Sequence, residues 1–331
     1  MSARAHSRDD RPATLALDNL CIDYAGRSAS RIVDRVSLEV WPGEIVGLIG
    51  ESGSGKTMTA LSLLGLMPRG MRVSEGDIRF TGESLVRRSS AEMRRVRGDR
   101  IAMIPQDALR ALNPVLQIDR QVGEPYVIHR QTAWQAAKAK AVELLEDVHL
   151  RSPAERAKEY PHQFSGGMQQ RAMIAMGLAL EPELLIADEP TTALDVTVQA
   201  QVLRLLREIR QTHGTAILFI THDLGVVAAL CDWVYVIYAG AILEQGSVPA
   251  VFTRPAHPYT QALLRATPTV RNLQDELLSI PGQIPSPFAL PAGCRFADRC
   301  TFRFARCADE PPLLPVAPGH SARCWLVDHE R

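Results

Sequence analysis

Gly50-Glu51-Ser52-Gly53-Ser54-Gly55-Lys56-Thr57 spaces its glycines so that backbone N–H groups can turn inward around the β-phosphate of a nucleotide. Lys56 would reach the β- and γ-phosphates, and the Thr57 hydroxyl would ligate Mg²⁺. A second chemical stretch, Leu184-Leu-Ile-Ala-Asp188-Glu189-Pro190, ends an apolar run on two carboxylates. Asp188 would hold Mg²⁺, and Glu189 could orient and polarise the water that attacks the γ-phosphate. A Gly/Ser turn or an acidic turn before a proline would explain either stretch alone; together they describe a phosphoryl-transfer site. The third stretch is Phe164-Ser-Gly-Gly-Met-Gln-Gln-Arg171, where Ser165 is a good helix N-cap and Gly166-Gly167 bare the first turn. Such an end can take an anion on Ser165 and the glycine amides, or it can be an ordinary capped helix.

The elements that must carry these residues follow from periodicity. Glu44 to Gly50 is a short apolar run with β-branched members, and Thr57 to Met67 has helical spacing until Pro68 and Gly70 stop it. Strand, glycine loop and helix thus come in the order a phosphate site requires. Residues 14 to 42 alternate in the manner of antiparallel strands around a turn at Gly26 to Ser30. A polar, Arg-rich stretch from Arg87 to Arg100 and a helical one from Ala133 to Leu150 separate the glycine loop from the Leu184 strand. The helix expected over Val196 to His213 places Val198, Val202, Leu205, Leu206 and Ile209 on one face, and a strand, Ala216 to Ile220, follows. Val226 to Leu243 carries Asp232 and Gly240, falls short of a spanning helix of about 20 residues, and is expected as buried strands. After about Gly246 the chain turns Pro- and Cys-rich and is expected to hold little regular structure. The alternation of strands and helices predicts an α/β fold with a largely parallel sheet.

Composition narrows the function classes. The chain has 331 residues, 46% hydrophobic, enough for two domains at roughly 100–200 residues each. Its 37 basic and 37 acidic side chains cancel, which removes the electrostatic footprint of a nucleic-acid binder. The first dozen residues are polar, read as a loose tail rather than a secretory signal, and predict a cytoplasmic protein.

With the phosphate loop and the acidic strand present, Phe164 to Gln169 resembles the signature of the ABC-transporter ATPases, with Phe164 for the commoner Leu and Met168 for the commoner Gln. The resemblance implies a P-loop NTPase of the ABC type: a mostly parallel core sheet, an antiparallel β-subdomain and an inserted helical subdomain. On that basis residues 1–13 are a tail, 14–246 the ATPase domain with its helical subdomain at about 86–180, and 247–331 an extension. It also implies roles. Gln106 looks like the glutamine that senses Mg²⁺ and the γ-phosphate and faces the membrane subunits. His222 looks like the switch histidine at the γ-phosphate, and Tyr24 like the aromatic that stacks on adenine. Ser165, Gly166, Gly167, Gln169 and Asp195, the last in Ala193-Leu194-Asp195, are expected to meet the ATP of a partner subunit.

Tyr160 to Met168, Ala187 to Gln201 and His257 to Leu264 resemble the peptide/nickel importer branch, and Glu51 with Thr191-Thr192 its dipeptide/oligopeptide members. Positions 108, 109 and 111 depart from the branch, near the surface that would meet permeases. The branch implies a motor for import of di- or oligopeptides or related solutes. The partners it implies are a second homologous ATPase subunit, two permeases and an extracytoplasmic solute-binding protein. Its expected place is the cytoplasmic face of the bacterial inner membrane, as a peripheral subunit. A soluble ABC ATPase acting on DNA or ribosomes is the alternative, disfavoured by a single ATPase unit without a long heptad run; a third possibility is an iron–sulfur sensor.

Six cysteines fall into two groups. Cys21 and Cys231 sit in apolar contexts and read as buried thiols. Cys294, Cys300, Cys307 and Cys324, at spacings of five, six and sixteen intervening residues, suggest a metal site in a reducing compartment. They lack the CxxC pair usual for zinc, and the spacing is compatible with a four-thiolate cluster. Related peptide-importer ATPases with this tail can carry a 4Fe-4S cluster; zinc and unliganded thiols stay open.

Overall fold

The structure, a computed structural model, describes residues 12–25, 30–192, 194–267 and 280–329. The expected tail up to Arg11, residues 26–29 of the expected turn and Ala193 lie outside them. The chain divides into two compact units: Met1–Val40 with Ile45–Val86 and Ile220–Arg331, and Trp41–Glu44 with Arg87–Phe219.

In the first unit, four strands form an antiparallel sheet in the order Ser30–Val40, Leu15–Tyr24, Met71–Phe80, Glu83–Ser84. The alternation anticipated for residues 14 to 42 sets its register, with Leu15 opposite both Val40 and Phe80. Leu15, Leu20, Ile22, Val33, Val36 and Val40 are fully buried, each such large aliphatic side chain contributing roughly 1.5–3 kcal/mol. Ile45–Ile49 pairs in parallel with Trp233–Tyr238, whose antiparallel neighbour Ala241–Ser247 continues the sheet. Every residue of Ile45–Ile49 and Trp233–Tyr238 is buried, as befits strands covered on both faces.

Two expectations are corrected in this unit. The apolar stretch from Val226 is not strand throughout: Leu224–Leu230 is a helix, and strands begin at Trp233. The Asp223 carboxylate starts it by accepting the N–H groups of Gly225 (2.8 Å) and Val226 (3.2 Å). A run without polar residues shows no period that separates helix from strand, although Ala228 and Ala229 turn out exposed. Nor is the chain after Gly246 irregular. Ser247 caps the helix Val248–Thr253, and the His257 Nδ1 atom caps Pro258–Ala266 by accepting the Tyr259 N–H at 3.0 Å. Short strands Leu314–Ala317 and His320–Ala322 add themselves to the sheet, His320 opposite Gly246. Strands this short show no alternation in sequence.

The same C-terminal stretch is anchored to the antiparallel sheet through Asp34, a carboxylate only 6% exposed. Burial pushes its carboxyl up, but the guanidinium groups of Arg35, Arg295 and Arg31 outweigh that and hold it below the ordinary carboxylate range. Arg35 also grips Glu310 at 2.7 Å.

In the second unit, Ile101–Ile104 runs parallel to Leu184–Asp188, Ile101 opposite Leu184. The helices Ile118–Arg130 and Trp134–Asp147 pack on each other and on Gly166–Leu178, which carries the glycine pair. Backbones come close because Gly123 faces the Ala137 carbonyl, where a Cβ would stand 2.7 Å from the oxygen. The Arg-rich stretch, expected only as polar, holds a helix, Ser90–Val96, nucleated by a reciprocal capping box between Ser89 and Glu92. The helix Val196–His213 buries Val202, Leu205, Leu206 and Ile209 along the anticipated face, with Val198 half-buried at its start.

Candidate active site

The phosphate loop leaves the buried strand Ile45–Ile49 and enters the helix Lys56–Leu63 through Gly55, at φ 105°. No L side chain adopts that conformation without strain, so the loop can turn its amides inward only if the position is glycine. Gly50 is required for a different reason: a Cβ there would meet the Ile237 carbonyl oxygen at 2.1 Å. Ser52, Gly53 and Thr57 are exposed, whereas Ser54 is 1% exposed. The Lys56 ammonium is 5% exposed and donates to the Gly50 carbonyl at 2.7 Å and the Glu51 carbonyl at 3.0 Å. Its position is thereby tied to that of the first two loop residues. Glu51 is itself held twice, by the Tyr259 hydroxyl on its amide (2.9 Å) and by Arg299 on its carboxylate (3.0 Å). Neither partner is visible from sequence spacing.

Two further residues of this unit carry expectations. His222 is exposed directly after the strand Ala216–Thr221. Tyr24 is half-buried at the end of Leu15–Tyr24, with Phe288 edge-on to its ring at a centroid distance of 6.1 Å. Phe288 is 59% exposed, so an aromatic corner that sequence spacing did not anticipate stands beside the residue expected to meet adenine.

The second unit carries the acidic strand end. Asp188, the last residue of Leu184–Asp188, is 2% exposed. Glu189 follows with φ 48°, the left-handed region that a non-glycine residue adopts only under strain. Strain of this sort costs on the order of 1–3 kcal/mol and collects at functional sites. It turns the Glu189 carboxylate to where its Oε2 accepts the Gln106 Nε2–H at 3.1 Å and the Thr192 hydroxyl at 3.0 Å. Gln106 and Glu189 are thus brought together across 83 residues of chain, and Thr192 joins them.

The glycine pair opens the helix Gly166–Leu178 as anticipated, with the Ser165 hydroxyl accepting the Met168 N–H at 3.4 Å. Ser165 and Gly166 are exposed. Gly167 packs against the following helix, where a Cβ would stand 2.6 Å from Val198. Gln169, expected to face a partner's nucleotide, is 6% exposed and turns inward: its amide donates to the Pro161 carbonyl at 2.8 Å and the Phe164 carbonyl at 3.4 Å. It braces the turn ahead of the glycines. Asp195 is exposed and caps Val196–His213 by accepting the Val198 N–H at 2.9 Å.

Cys21 and Cys231 are buried, as anticipated. Cys294, Cys300, Cys307 and Cys324 line one pocket together with Phe296, Phe302 and Trp325. Burial pushes the thiols of Cys294 and Cys300 up and that of Cys324 up to about 12, with the neighbouring cysteines adding to the rise. Among the described residues, no group of three or more His, Cys, Asp or Glu side chains is set to hold a metal ion.

Comparison with known proteins agrees with this arrangement. Residues 33–192 match the ABC transporter family, and residues 243–307 match the oligopeptide/dipeptide transporter C-terminal region. A probable peptide ABC transporter ATP-binding protein of Sinorhizobium fredii is 49% identical over 91% of each chain. The dipeptide transport ATP-binding protein DppD of Escherichia coli is 44% identical over 94% of this chain and 96% of its own. Among solved structures, the ATP-binding cassette MJ0796, dimeric in a post-hydrolysis state with ADP and Pi, superposes with a TM-score of 0.64 at 26% identity. That match covers 71% of this chain and 98% of the cassette. A phosphate loop on a buried strand, a strained glutamate after a second one, and likeness along nine-tenths of the length place the chain in the family of ATP-binding subunits of peptide ABC transporters, which are ATPases.

Proposed function

We propose that the chain is the motor of an importer for di- or oligopeptides or related solutes, its ATP site completed by a second, homologous ATPase subunit. The observation that carries this reading is the likeness to peptide-transport ATP-binding proteins over almost the whole chain, extension included. Residues 14–246 form the ATPase domain, the helical subdomain lies at about 86–180, and 247–331 form the extension. The loop Gly50 to Thr57 holds the phosphates and Tyr24 the adenine, while Ser165, Gly166 and Gly167 take the γ-phosphate of the partner's nucleotide. Asp195 lies at the same interface, and Gln169 acts by bracing the glycine turn.

Thr57, Gln106 and Asp188 offer the oxygen donors that Mg²⁺ prefers. Mg²⁺ when bound neutralises charge on the β- and γ-phosphates. Glu189 accepts a proton from the attacking water, Lys56 holds the transferred group, and His222 donates to the γ-phosphate. Two permeases couple ATP hydrolysis to solute movement, fed by an extracytoplasmic solute-binding protein. No described helix is long and apolar enough to cross a membrane. The chain sits as a peripheral subunit on the cytoplasmic face of the bacterial inner membrane.

Reconstitution with permeases and solute-binding protein tests this directly. A di- or oligopeptide is expected to stimulate ATP hydrolysis, and Ser165→Arg is expected to abolish the stimulated rate while nucleotide binding to the isolated chain survives. A normal assembled rate in that variant would remove the role in trans.

The extension is of the cysteine-bearing type, and four thiols lining one largely apolar pocket are donors of the kind a 4Fe-4S cluster takes. Cys294, Cys300, Cys307 and Cys324 would hold it, and the bound centre would join the short 3-10 turns and the strand end that carry them. Anaerobic purification is expected to yield iron and sulfide in equal amounts; zinc would identify a structural metal instead, and neither would leave a thiol pocket.

A further inference from the structure

We propose that Arg299, in the C-terminal extension, is a positioning residue for ATP binding and acts by holding Glu51 of the phosphate loop. Arg299 Nη1 stands 3.0 and 3.1 Å from the two Glu51 carboxylate oxygens, and Nη2 stands 3.1 Å from Oε2. The rest of the guanidinium is committed as well. Nε donates to the Pro281 carbonyl at 2.8 Å, Nη2 to the Ile280 carbonyl at 3.2 Å, and Nη1 to the Tyr238 hydroxyl at 3.3 Å. The rings of Tyr238 and Phe296 lie 5.7 and 5.9 Å away. With 5% of its side chain exposed, Arg299 has one place to be, and Glu51, 28% exposed, follows it.

Glu51 is held at its other end too, since its N–H donates to the hydroxyl of Tyr259, a side chain with no exposed surface. Two residues 208 and 248 positions along the chain therefore fix one residue of the loop. That residue in turn fixes Lys56, whose ammonium donates to the Glu51 carbonyl at 3.0 Å. A loop that grips phosphates through backbone amides works only while its backbone is held in place. A phosphate loop completed by its own helix would need no such outside support. Here the extension supplies it, and Arg299 directly precedes Cys300 of the thiol pocket. The inference rests on the ATPase assignment and is independent of which solute is carried.

The test is a double-substitution cycle in the full-length chain, reading ATP affinity by equilibrium titration and KM against kcat in the assembled transporter. Arg299→Gln is expected to weaken ATP binding and raise KM about tenfold, the scale of one charge-assisted pair, with kcat falling far less. Glu51→Gln is expected to match it, and the double variant to be no worse than either single one. Arg299→Lys, which keeps the charge without the fork, is expected to recover part of the loss. Tyr259→Phe deletes one hydroxyl and is expected to weaken binding in the same sense, so the loop contact can still be read should Arg299→Gln fail to fold. Unchanged affinity in folded Arg299→Gln, or losses that simply add in the double variant, would overturn the proposal. A wild-type chain that binds ATP but is not stimulated by peptide would instead count against the importer reading and leave this one standing.

Discussion

Glu189→Gln is expected to lower steady-state ATP hydrolysis by about two to four orders of magnitude, the usual contribution of a positioned general base. ATP binding should remain within a few-fold of the wild type. The two effects separate because glutamine keeps the shape of the side chain and retains a carbonyl oxygen. That oxygen can still accept from Gln106 and Thr192, which the native Oε2 does at 3.1 and 3.0 Å. What disappears is the negative charge and the capacity to take a proton from water. The left-handed backbone at Glu189, φ 48°, is retained in either residue, so the variant should fold and melt like the parent. Equilibrium nucleotide titration beside single-turnover hydrolysis checks this, and ATP should accumulate uncleaved on the protein. A turnover rate within twofold of wild type would leave Glu189 as a strained support for Gln106 and nothing more.

Lys56→Ala has the opposite signature. Binding itself is expected to weaken about ten- to a hundredfold, because a hydrogen bond to a charged group is worth roughly 1.5–3 kcal/mol and each 1.4 kcal/mol is a factor of ten. The helix Lys56–Leu63 should survive, alanine being the best helix former. The loop loses the ammonium that joins the Gly50 and Glu51 carbonyls at 2.7 and 3.0 Å, so its amides are less well placed and a positive charge near the phosphates is gone. Titration with a fluorescent ATP analogue measures the loss directly. Undiminished affinity would show that the amides alone suffice. Together these two expected outcomes would divide the proposed site by function, Lys56 for holding phosphate and Glu189 for cleaving it.

Much of this was legible because the chemistry lies in short consecutive runs. A strand, a glycine turn and a helix start are local, so Gly50 to Thr57 declares itself, and the same holds for Leu184 to Glu189 and for Ser165 at its helix. What stayed hidden falls into two kinds. Where no residue is polar, as in Leu224–Leu230, no periodicity distinguishes helix from strand, and the Asp223 cap decided it. Where an element is only a few residues long, as with Leu314–Ala317 and His320–Ala322, the signal lies in the strand it joins rather than in itself.

The sequence by itself determined which residues can do chemistry and the order of the elements that carry them, since backbone turns, caps and apolar runs are written within a few neighbouring positions. Only the tertiary structure decided which of them are available. It turned Gln169 inward onto the Pro161 and Phe164 carbonyls and drew Gln106 and Thr192 to one oxygen of Glu189. It also set Arg299 and Tyr259 on Glu51 from more than 200 residues away. The physical reason is that an ion pair or a shared hydrogen bond depends on distance in space, and chain separation carries no trace of it until packing has closed the loop.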